Sequence, residues 1–135
     1  MPALPLPAAL DRFLRTPRPA VVATLRADGS PVTAATWYEW RGDRFLLSMD
    51  ADGPRARNLR RDPRASLTAL GESWYDQVSV LGRAVEFRLD ESLADLDGIS
   101  QHYRGEPYPR TAGQTALTVV VAADSWHSWG RPGER

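Results

Sequence analysis

The sequence predicts a mainly β domain of the α+β class, a six-stranded barrel with flanking short helices. Three observations support this prediction: six apolar or β-branched runs of strand length, turn residues between most of them, and a glycine inside the longest run. Strands joined by hairpins avoid exposed edges by closing into a barrel. Since the sequence contains no internal repeat and no linker, it is expected to form a single domain over residues 1–135.

The first half of the chain is predicted to form one helix and three strands. Residues 7–15 carry apolar side chains at helical spacing on one face, namely Ala9, Leu10, Phe13 and Leu14. Residues 20–26 are typical of a buried strand, and the pair Asp28-Gly29 indicates a hairpin that leads into a return strand over residues 32–40. A third strand follows over residues 45–50.

The second half is predicted to add three strands and a further long helix. Residues 65–70 form the fourth strand, and residues 75–89 form a long fifth strand in which Gly82 indicates a bulge or a bend. Asp90 is placed to cap a helix whose apolar residues recur at helical spacing, namely Leu93, Leu96 and Ile99. Residues 116–123 form the last buried strand, which completes the six.

The most informative segment for function is residues 54–64. It holds five of the chain's seventeen basic residues and only one acid, and it follows the third strand and a tight turn at residues 51–53. Pro54 suits the first turn of a helix, because the first helical N–H group has no partner within the helix. A helix start presents free N–H groups and the positive end of a dipole, and arginine binds phosphate with paired N–H groups. The segment therefore predicts an anion site.

The arginines of this segment are not equivalent. Arg55 and Arg57 lie in the first helical turn, where positive charge opposes the helix dipole, so a bound anion explains them better than a solvated surface does. The other three are equally compatible with a charged surface helix: Arg60, Arg61 and Arg64. Arg55 and Arg57 are therefore the candidate anion-binding residues.

The composition disfavours several other classes of function. The formal net charge is zero, which argues against a nucleic-acid-binding protein. Cysteine is absent and the two histidines, His102 and His127, are far apart, so the sequence indicates no metal site and neither thiol nor serine-triad chemistry. The acids are scattered, and the catalytic residues stay unknown. No run of about 20 apolar residues and no signal peptide is recognisable, so a cytoplasmic protein without membrane contact is expected.

Aromatic residues flank the predicted strand ends near the arginine-rich segment. Most of them are at least as compatible with packing in the core or at an interface as with ligand contact. Trp37 and Tyr75 are the best candidates for contact with a cofactor or a substrate. Because no side chain stands out as catalytic, a cofactor that carries the chemistry is expected.

Three stretches of the sequence resemble a known family. They are Asp28-Gly-Ser-Pro31 in the first hairpin, Arg55-Ala-Arg-Asn-Leu-Arg-Arg-Asp-Pro63 after the third strand, and Val78-Ser-Val-Leu-Gly-Arg-Ala-Val85 in the fifth strand. Over residues 20–103 the chain is similar to the flavin/deazaflavin oxidoreductase superfamily of the split β-barrel fold, which is related to pyridoxamine-phosphate oxidase. Within that superfamily, it most resembles the branch that uses coenzyme F420.

The resemblance implies a homodimer with the cofactor in a groove at the subunit interface and the cofactor's phosphate at the arginine-rich helix start. It implies that Arg55 and Arg57 contact the phosphate and that Asn58 fixes the helix start. The family commonly has lysine where Arg55 stands, a difference that keeps the positive charge. The remaining implied contacts are Thr36 and Trp37 near the ring system, Ser48 and Met49 beside the phosphate, and Pro54 at the helix start.

The activity implied by the resemblance is that of an oxidoreductase. It passes hydride from reduced coenzyme F420 to a small organic acceptor with a conjugated ring or an activated double bond. Two alternatives stay open. The same phosphate site would serve FMN in a pyridoxamine-phosphate-oxidase-like flavoprotein, although the chain is short for that enzyme, and a protein that only binds the cofactor would need no catalytic side chain either. The expected partners are a small-molecule substrate and a second copy of the chain, with neither nucleic acid nor membrane.

Overall fold

The described part of the chain comprises residues 1–109, 113 and 115–134 of a computed structural model. Within it the chain forms three helices and seven strands. In chain order they are α1 (Ala8–Arg15), β1 (Ala20–Leu25), β2 (Pro31–Thr36), β3 (Glu39–Trp40), β4 (Arg44–Asp50), α2 (Pro54–Arg61), β5 (Arg64–Leu70), β6 (Gln77–Leu89), α3 (Ala94–Arg104) and β7 (Ala116–Trp129). The mainly β, α+β class is confirmed, whereas the number of strands is seven rather than six.

All seven strands belong to one antiparallel sheet with the order β2-β1-β5-β6-β7-β4-β3. The strands β2 and β3 are consecutive in the chain but lie at opposite edges of this order. Within the described residues the hydrogen-bonded ladder is therefore open between them, and only the covalent chain joins the two edges. The sheet curls into a split barrel rather than a fully closed one.

The predicted second strand, residues 32–40, is divided into β2 and β3 by Trp37 and Tyr38. The Tyr38 ring is buried in the core, and its hydroxyl donates a hydrogen bond to the Leu14 carbonyl at 2.9 Å. The Trp37 ring stacks on Tyr103 with 5.2 Å between the ring centroids. The prediction of one continuous strand was wrong, because these tertiary contacts outweigh the β propensity of the two aromatic residues.

The hydrophobic core lies between α1 and the inner faces of the strands. Leu10, Phe13 and Leu14 are buried on one face of α1, as the apolar spacing predicts. On the polar side of the same helix, the Trp40 indole N–H donates a hydrogen bond of 2.8 Å to Asp11. The strands contribute alternating buried residues to this core, among them Val22, Phe45, Leu47, Leu67, Val80 and Val119.

The strands β6 and β7 form the longest pair of the sheet. Their register shifts between Leu81 and Gly82, which confirms the bulge predicted at the glycine. A β-carbon added to Gly82 would lie 2.0 Å from the Ala122 carbonyl oxygen, so the close approach of the two backbones leaves space for glycine only. The strand begins at Gln77 and not at Tyr75, because Tyr75 still belongs to the turn that follows β5.

The start of α3 differs in detail from the prediction. Leu93 is not helical but precedes the helix in the left-handed conformation, with φ of 62°. Asp90 nevertheless caps the helix from a distance, because its carboxylate accepts hydrogen bonds from the N–H groups of Asp95 at 3.2 Å and Leu96 at 2.9 Å. None of the described helices, of which α3 is the longest with 11 residues, has the length and apolarity needed to cross a membrane.

Replacing Asp90 with alanine is expected to lower the free energy of unfolding by about 1–2 kcal/mol, because two N–H groups of the first turn of α3 lose their acceptor. Glu91→Ala is the matched control, since Glu91 is an exposed acid next to Asp90. Urea unfolding of the two variants and the wild type measures the difference. Equal stability of Asp90→Ala and Glu91→Ala would show that the cap contributes nothing.

Candidate functional site

The junction of β4 and α2 has the geometry expected of an anion site. Pro54 occupies the first turn of α2, as predicted, and Gly53 precedes it as the N-cap. Within this part of the described chain, no side chain caps the helix and no acid stands in its first turn. The Asp50 carboxylate accepts the N–H of Asp52 at 3.1 Å and so shapes the turn rather than the helix start. The helix start therefore keeps its N–H groups and its positive dipole available.

Arg55 is the central side chain of this junction. It is half-buried, and its Nη1 atom donates a hydrogen bond of 3.3 Å to the hydroxyl of Thr36 at the end of β2. Among the residues that the structure describes, no carboxylate lies within ion-pair distance of its guanidinium. Burial lowers the pKa of Arg55 below its usual value, because desolvation disfavours the charged form. Arg55 is thus a half-buried positive charge that no carboxylate among the described residues compensates, and a bound anion could do so.

A cavity of about 240 Å³, here called the α3 cavity, lies between the ends of β2 and β4 and the helix α3. It brings together four of the predicted site residues: Thr36, Trp37, Ser48 and Met49. The other lining residues, which sequence reasoning missed as site residues, are Asp50, Leu96, Ile99 and Tyr108. Aromatic and apolar side chains with a few polar groups, here including the Asp50 carboxylate, are typical of a small-molecule site.

A second cavity of about 220 Å³, the α2 cavity, lies between α2 and the β1–β2 hairpin. Three further predicted residues line it, namely Pro54, Arg55 and Asn58. The Asn58 amide donates a hydrogen bond of 3.2 Å to the hydroxyl of Thr24, so it ties the helix to β1 rather than to its own N-terminus. Since Arg55 lines this cavity and bonds to Thr36 of the α3 cavity, its guanidinium lies at the junction of the two.

The structure separates Arg57 from Arg55. Two residues of helix correspond to about 200° of rotation, so the two side chains leave α2 on different sides. Arg57 is exposed and its Nη1 atom donates to the Asp52 carbonyl at 2.5 Å. The Nη1 atom of Arg61 donates at 3.4 Å to the amide oxygen of Asn58, which lines the α2 cavity. The phosphate contact of Arg57 stays a prediction, and Arg55 is the arginine that lines a cavity.

Tyr75 lies apart from both cavities. It is in the turn between β5 and β6, 53% of its surface is exposed, and its ring stacks on Trp74 with 4.1 Å between centroids. Neither the α3 cavity nor the α2 cavity includes it. A cofactor contact of Tyr75 within its own protomer is therefore not indicated, and its contact with a cofactor stays a prediction.

The wall of the α3 cavity is built on a fixed aromatic cluster. Trp37 stacks on Tyr103 and meets the ring of Tyr108 edge-on, with 6.3 Å between their centroids. The Tyr103 hydroxyl donates to the Arg18 carbonyl at 2.8 Å, and burial raises the pKa of Tyr103. A flat ligand can therefore lie against a rigid aromatic surface at one side of this cavity.

Sequence analysis missed these site residues for one physical reason. Leu96 and Ile99 were recognised as the apolar face of a helix, but no local pattern tells which strand that face meets. Tyr108 reaches the cavity from the segment after α3, and Asp50 ends a strand that was predicted correctly. Only the tertiary arrangement places α3 over the end of β4.

The cavities hold few groups that could transfer a proton. Neither His102 nor His127 lines them, and among the lining residues named above only Asp50 and Tyr108 carry a titratable group besides Arg55. Within the described residues, no three His, Asp or Glu side chains form a group that could hold a metal ion. The arrangement is suited to holding a flat ligand with an anionic group at Arg55, and Asp50 and Tyr108 are the titratable residues that line the α3 cavity.

The chain is similar to proteins of one family along most of its length. Residues 6–129 match the family model of pyridoxamine 5′-phosphate oxidase. A solved structure of an F420 reductase superposes with a TM-score of 0.82 at 20% identity, over 90% of this chain and 98% of that chain. A conserved hypothetical protein from Mycobacterium tuberculosis superposes with 0.75 at 26% identity, over 97% and 88%. General Stress Protein 26 from Bacillus anthracis superposes with 0.67 at 14% identity, over 90% and 91%.

Proposed function

Because the chain belongs to the pyridoxamine 5′-phosphate oxidase family, we propose that it is an oxidoreductase that binds a phosphate-bearing deazaflavin, coenzyme F420. In this proposal residues 1–135 are one cytoplasmic cofactor-binding domain that acts as a homodimer. The observation that carries the proposal is Arg55, a half-buried cation without a carboxylate partner among the described residues, at the start of a helix and at the junction of two cavities. Its charge, its position and the free helix start all favour a phosphate.

In this proposal the two cavities hold different parts of the ligand. The α3 cavity offers a flat wall at Trp37 for a ring system, and Ser48 on β4 adds a hydroxyl beside it. Arg55 and the N–H groups of α2 then bind the phosphate, while Thr36 holds the guanidinium in place through its hydroxyl. Leu96 and Ile99 add apolar side chains to the wall of the same cavity, which disfavours water beside the ring.

The α2 cavity favours F420 over FMN. FMN ends at its phosphate, whereas the phosphate of F420 is a diester that continues into a lactyl and glutamyl tail. A ligand whose phosphate is bound at Arg55 finds the α3 cavity on one side and the α2 cavity on the other. Space on both sides of the phosphate suits a diester, and a terminal phosphate would use only one side.

The protein supplies binding, orientation and the exclusion of water, and the reduced cofactor, when bound, supplies the hydride. The acceptor in this proposal is a small molecule with a conjugated ring or an activated double bond, which can lie flat in the α3 cavity. The proton that completes the reduction is expected to come from solvent.

The proposal is tested by titrating the purified protein with coenzyme F420 and, separately, with FMN, using calorimetry or fluorescence. We expect F420 to bind and FMN to bind more weakly. Oxidation of reduced F420 in the presence of a quinone then tests turnover. A yellow protein with tightly held FMN would favour the pyridoxamine-phosphate-oxidase-like alternative, F420 binding without turnover would favour a cofactor-binding protein, and binding of neither would overturn the proposal.

A further inference from the structure

The two cavities of the candidate site carry charges of opposite sign. Among the described residues that line the α3 cavity, Asp50 alone carries a formal charge, and among those that line the α2 cavity, Arg55 alone does. Neither residue forms an ion pair within the described part of the chain. The site is therefore polarised, with a negative charge in the cavity that Trp37 lines and a positive charge at the start of α2.

The position of Asp50 is fixed by the backbone around it. Asp50 is the last residue of β4 and pairs with Ala116 of β7. Its carbonyl oxygen accepts the N–H of Gly53 at 3.0 Å, and its Oδ1 atom accepts the N–H of Asp52 at 3.1 Å. A strand ladder and a tight turn thus hold the residue, so its carboxylate cannot move far from the cavity without breaking these bonds.

One oxygen of the Asp50 carboxylate is available to a ligand. Within the described residues Oδ1 has its donor in the turn, whereas Oδ2 has none. The Thr36 hydroxyl, by contrast, is already used, because it donates to the Trp37 carbonyl at 2.8 Å and accepts from Arg55. A carboxylate only accepts hydrogen bonds and can accept several of them. Asp50 is therefore the one charged acceptor that the described lining of the α3 cavity offers to a bound molecule.

The turn itself does not require the negative charge of Asp50. An asparagine amide oxygen would accept the Asp52 N–H in the same way, because asparagine and aspartate form the same kind of turn. A charge that the turn does not need, in a cavity whose other described lining residues are neutral, acts on the molecule that occupies the cavity. Asp50 is an exposed residue, so water screens part of its charge and the expected effect is moderate.

We propose that Asp50 is a specificity-determining residue, which excludes anionic molecules from the α3 cavity and selects neutral or cationic ones that carry an N–H or O–H donor. A negative group beside the carboxylate is repelled, whereas a positive group or a hydrogen-bond donor is attracted. Specificity commonly depends on such a repulsive element as much as on an attractive one. This selection by charge depends on the cavity alone and not on the identity of the cofactor.

Together with the proposed function, the selection defines the class of hydride acceptor. A ligand whose phosphate lies at Arg55 binds with its uncharged end towards Asp50, so the two charges fix its direction in the site. The acceptor is then a flat neutral or cationic molecule, and a flat anion such as an aromatic sulfonate is a poor acceptor. This step rests on the proposed function, since it requires the reduced cofactor.

The test uses three flat probes that differ in charge: naphthoquinone, its sulfonate, and a derivative with a quaternary ammonium group. The chain contains neither cysteine nor lysine, so no thiol or lysine amine traps a quinone covalently. Asp50→Asn removes the charge and keeps an oxygen that accepts the Asp52 N–H. Asp52→Asn is the matched control, because Asp52 lies in the same turn but lines neither cavity. Calorimetry at low and at high salt measures the binding of each probe to the protein without cofactor.

We expect Asp50→Asn to strengthen binding of the sulfonate about three- to tenfold at low salt and to weaken binding of the ammonium probe by a similar factor. The affinity for the neutral quinone should change less than about twofold, and the two larger changes should shrink at high salt. Asp52→Asn should leave all three affinities within about twofold of the wild type. A sulfonate affinity that does not respond to Asp50→Asn, or responds equally to Asp52→Asn, overturns the role of Asp50, and so does a wild type that binds none of the probes.

Turnover separates this inference from the proposed function. Oxidation of reduced F420 by each probe gives kcat/KM for the wild type and for Asp50→Asn, and we expect the ratio between the two proteins to follow the charge of the probe. Charge-selective binding of the probes by a protein that binds no F420 supports the role of Asp50 and refutes the proposed function alone. Turnover with the sulfonate that is equally efficient in the two proteins refutes the role of Asp50 and leaves the proposed function in place.

Discussion

Replacing Arg55 with alanine is expected to weaken binding of coenzyme F420 about 10- to 100-fold. A hydrogen bond between a charged donor and a phosphate contributes about 1.5–3 kcal/mol, and each 1.4 kcal/mol corresponds to about a factor of ten in the dissociation constant. Arg55 supplies this bond from a half-buried position, where screening by water is weaker than at the surface. Calorimetric titration of Arg55→Ala and the wild type measures the loss.

The same substitution is expected to leave the unbound protein as stable as the wild type, or slightly more stable. Burial lowers the pKa of Arg55, which means that the fold disfavours its charge, and among the described residues only Thr36 offers it a hydrogen-bond acceptor. Alanine removes this unfavourable charge. Binding and stability should therefore change independently, whereas an arginine that only supports the fold would lower both.

Arg57→Ala is the matched control for this prediction. It removes the same side chain two residues along α2, from an exposed position where it donates to the Asp52 carbonyl. We expect the affinity for F420 to fall less than about threefold, as for an exposed charge at the margin of a site. An equal loss in both variants would contradict the distinction between the two arginines and restore the assignment of the phosphate to the pair.

Replacing Gly82 with alanine is expected to lower the free energy of unfolding by at least about 3 kcal/mol, near the upper end of what overpacking costs. The added β-carbon would lie 2.0 Å from the carbonyl oxygen and 2.9 Å from the carbonyl carbon of Ala122. Both atoms belong to the backbone of β7, so no side chain can rotate away to make room. The two longest strands of the sheet would have to separate at the bulge.

Gly98→Ala is the control for Gly82→Ala, because it makes the same change where space is free. Gly98 lies inside α3, and a β-carbon there would meet no atom within 4 Å. Alanine in a helix interior is favoured over glycine by about 0.5–1 kcal/mol, so this variant is expected to be more stable than the wild type. Urea unfolding of both variants decides the matter, and a Gly82→Ala protein as stable as Gly98→Ala would refute the tight contact.

The elements that sequence analysis predicted well depend on local chemistry. The Asp28-Gly29 hairpin forms because glycine accepts a φ of 85° and the Asp28 carboxylate bonds to the backbone and hydroxyl of Ser30. Pro54 begins α2 because its missing N–H group costs nothing there. The break at Trp37, by contrast, depends on stacking with Tyr103, a residue far along the chain that no local window contains.

Family resemblance and helix geometry predicted part of the candidate site. The resemblance named Thr36 and Ser48, which the fold brings to one cavity although β2 and β4 lie near opposite ends of the strand order. It named Arg55 and Arg57 together, although the rotation of 100° per residue in a helix already indicates that the two side chains leave α2 on different sides. The contribution of α3 was beyond sequence reasoning, because it depends on long-range packing.

The opening between β2 and β3 has a mechanical consequence. Between β2 and β3 only the covalent chain at Trp37 and Tyr38 closes the barrel. The side chains of these two residues pack against neighbouring residues, but within the described residues no ladder of hydrogen bonds joins the two strands. Separating β2 from β3 breaks no hydrogen bond between strands, whereas separating any other two neighbouring strands of the sheet breaks the hydrogen bonds that pair them. A bulkier ligand that widened the barrel beside the α3 cavity would therefore have to displace the stack of Trp37 on Tyr103 and the hydrogen bond of Tyr38 to Leu14, and not a ladder of strand hydrogen bonds.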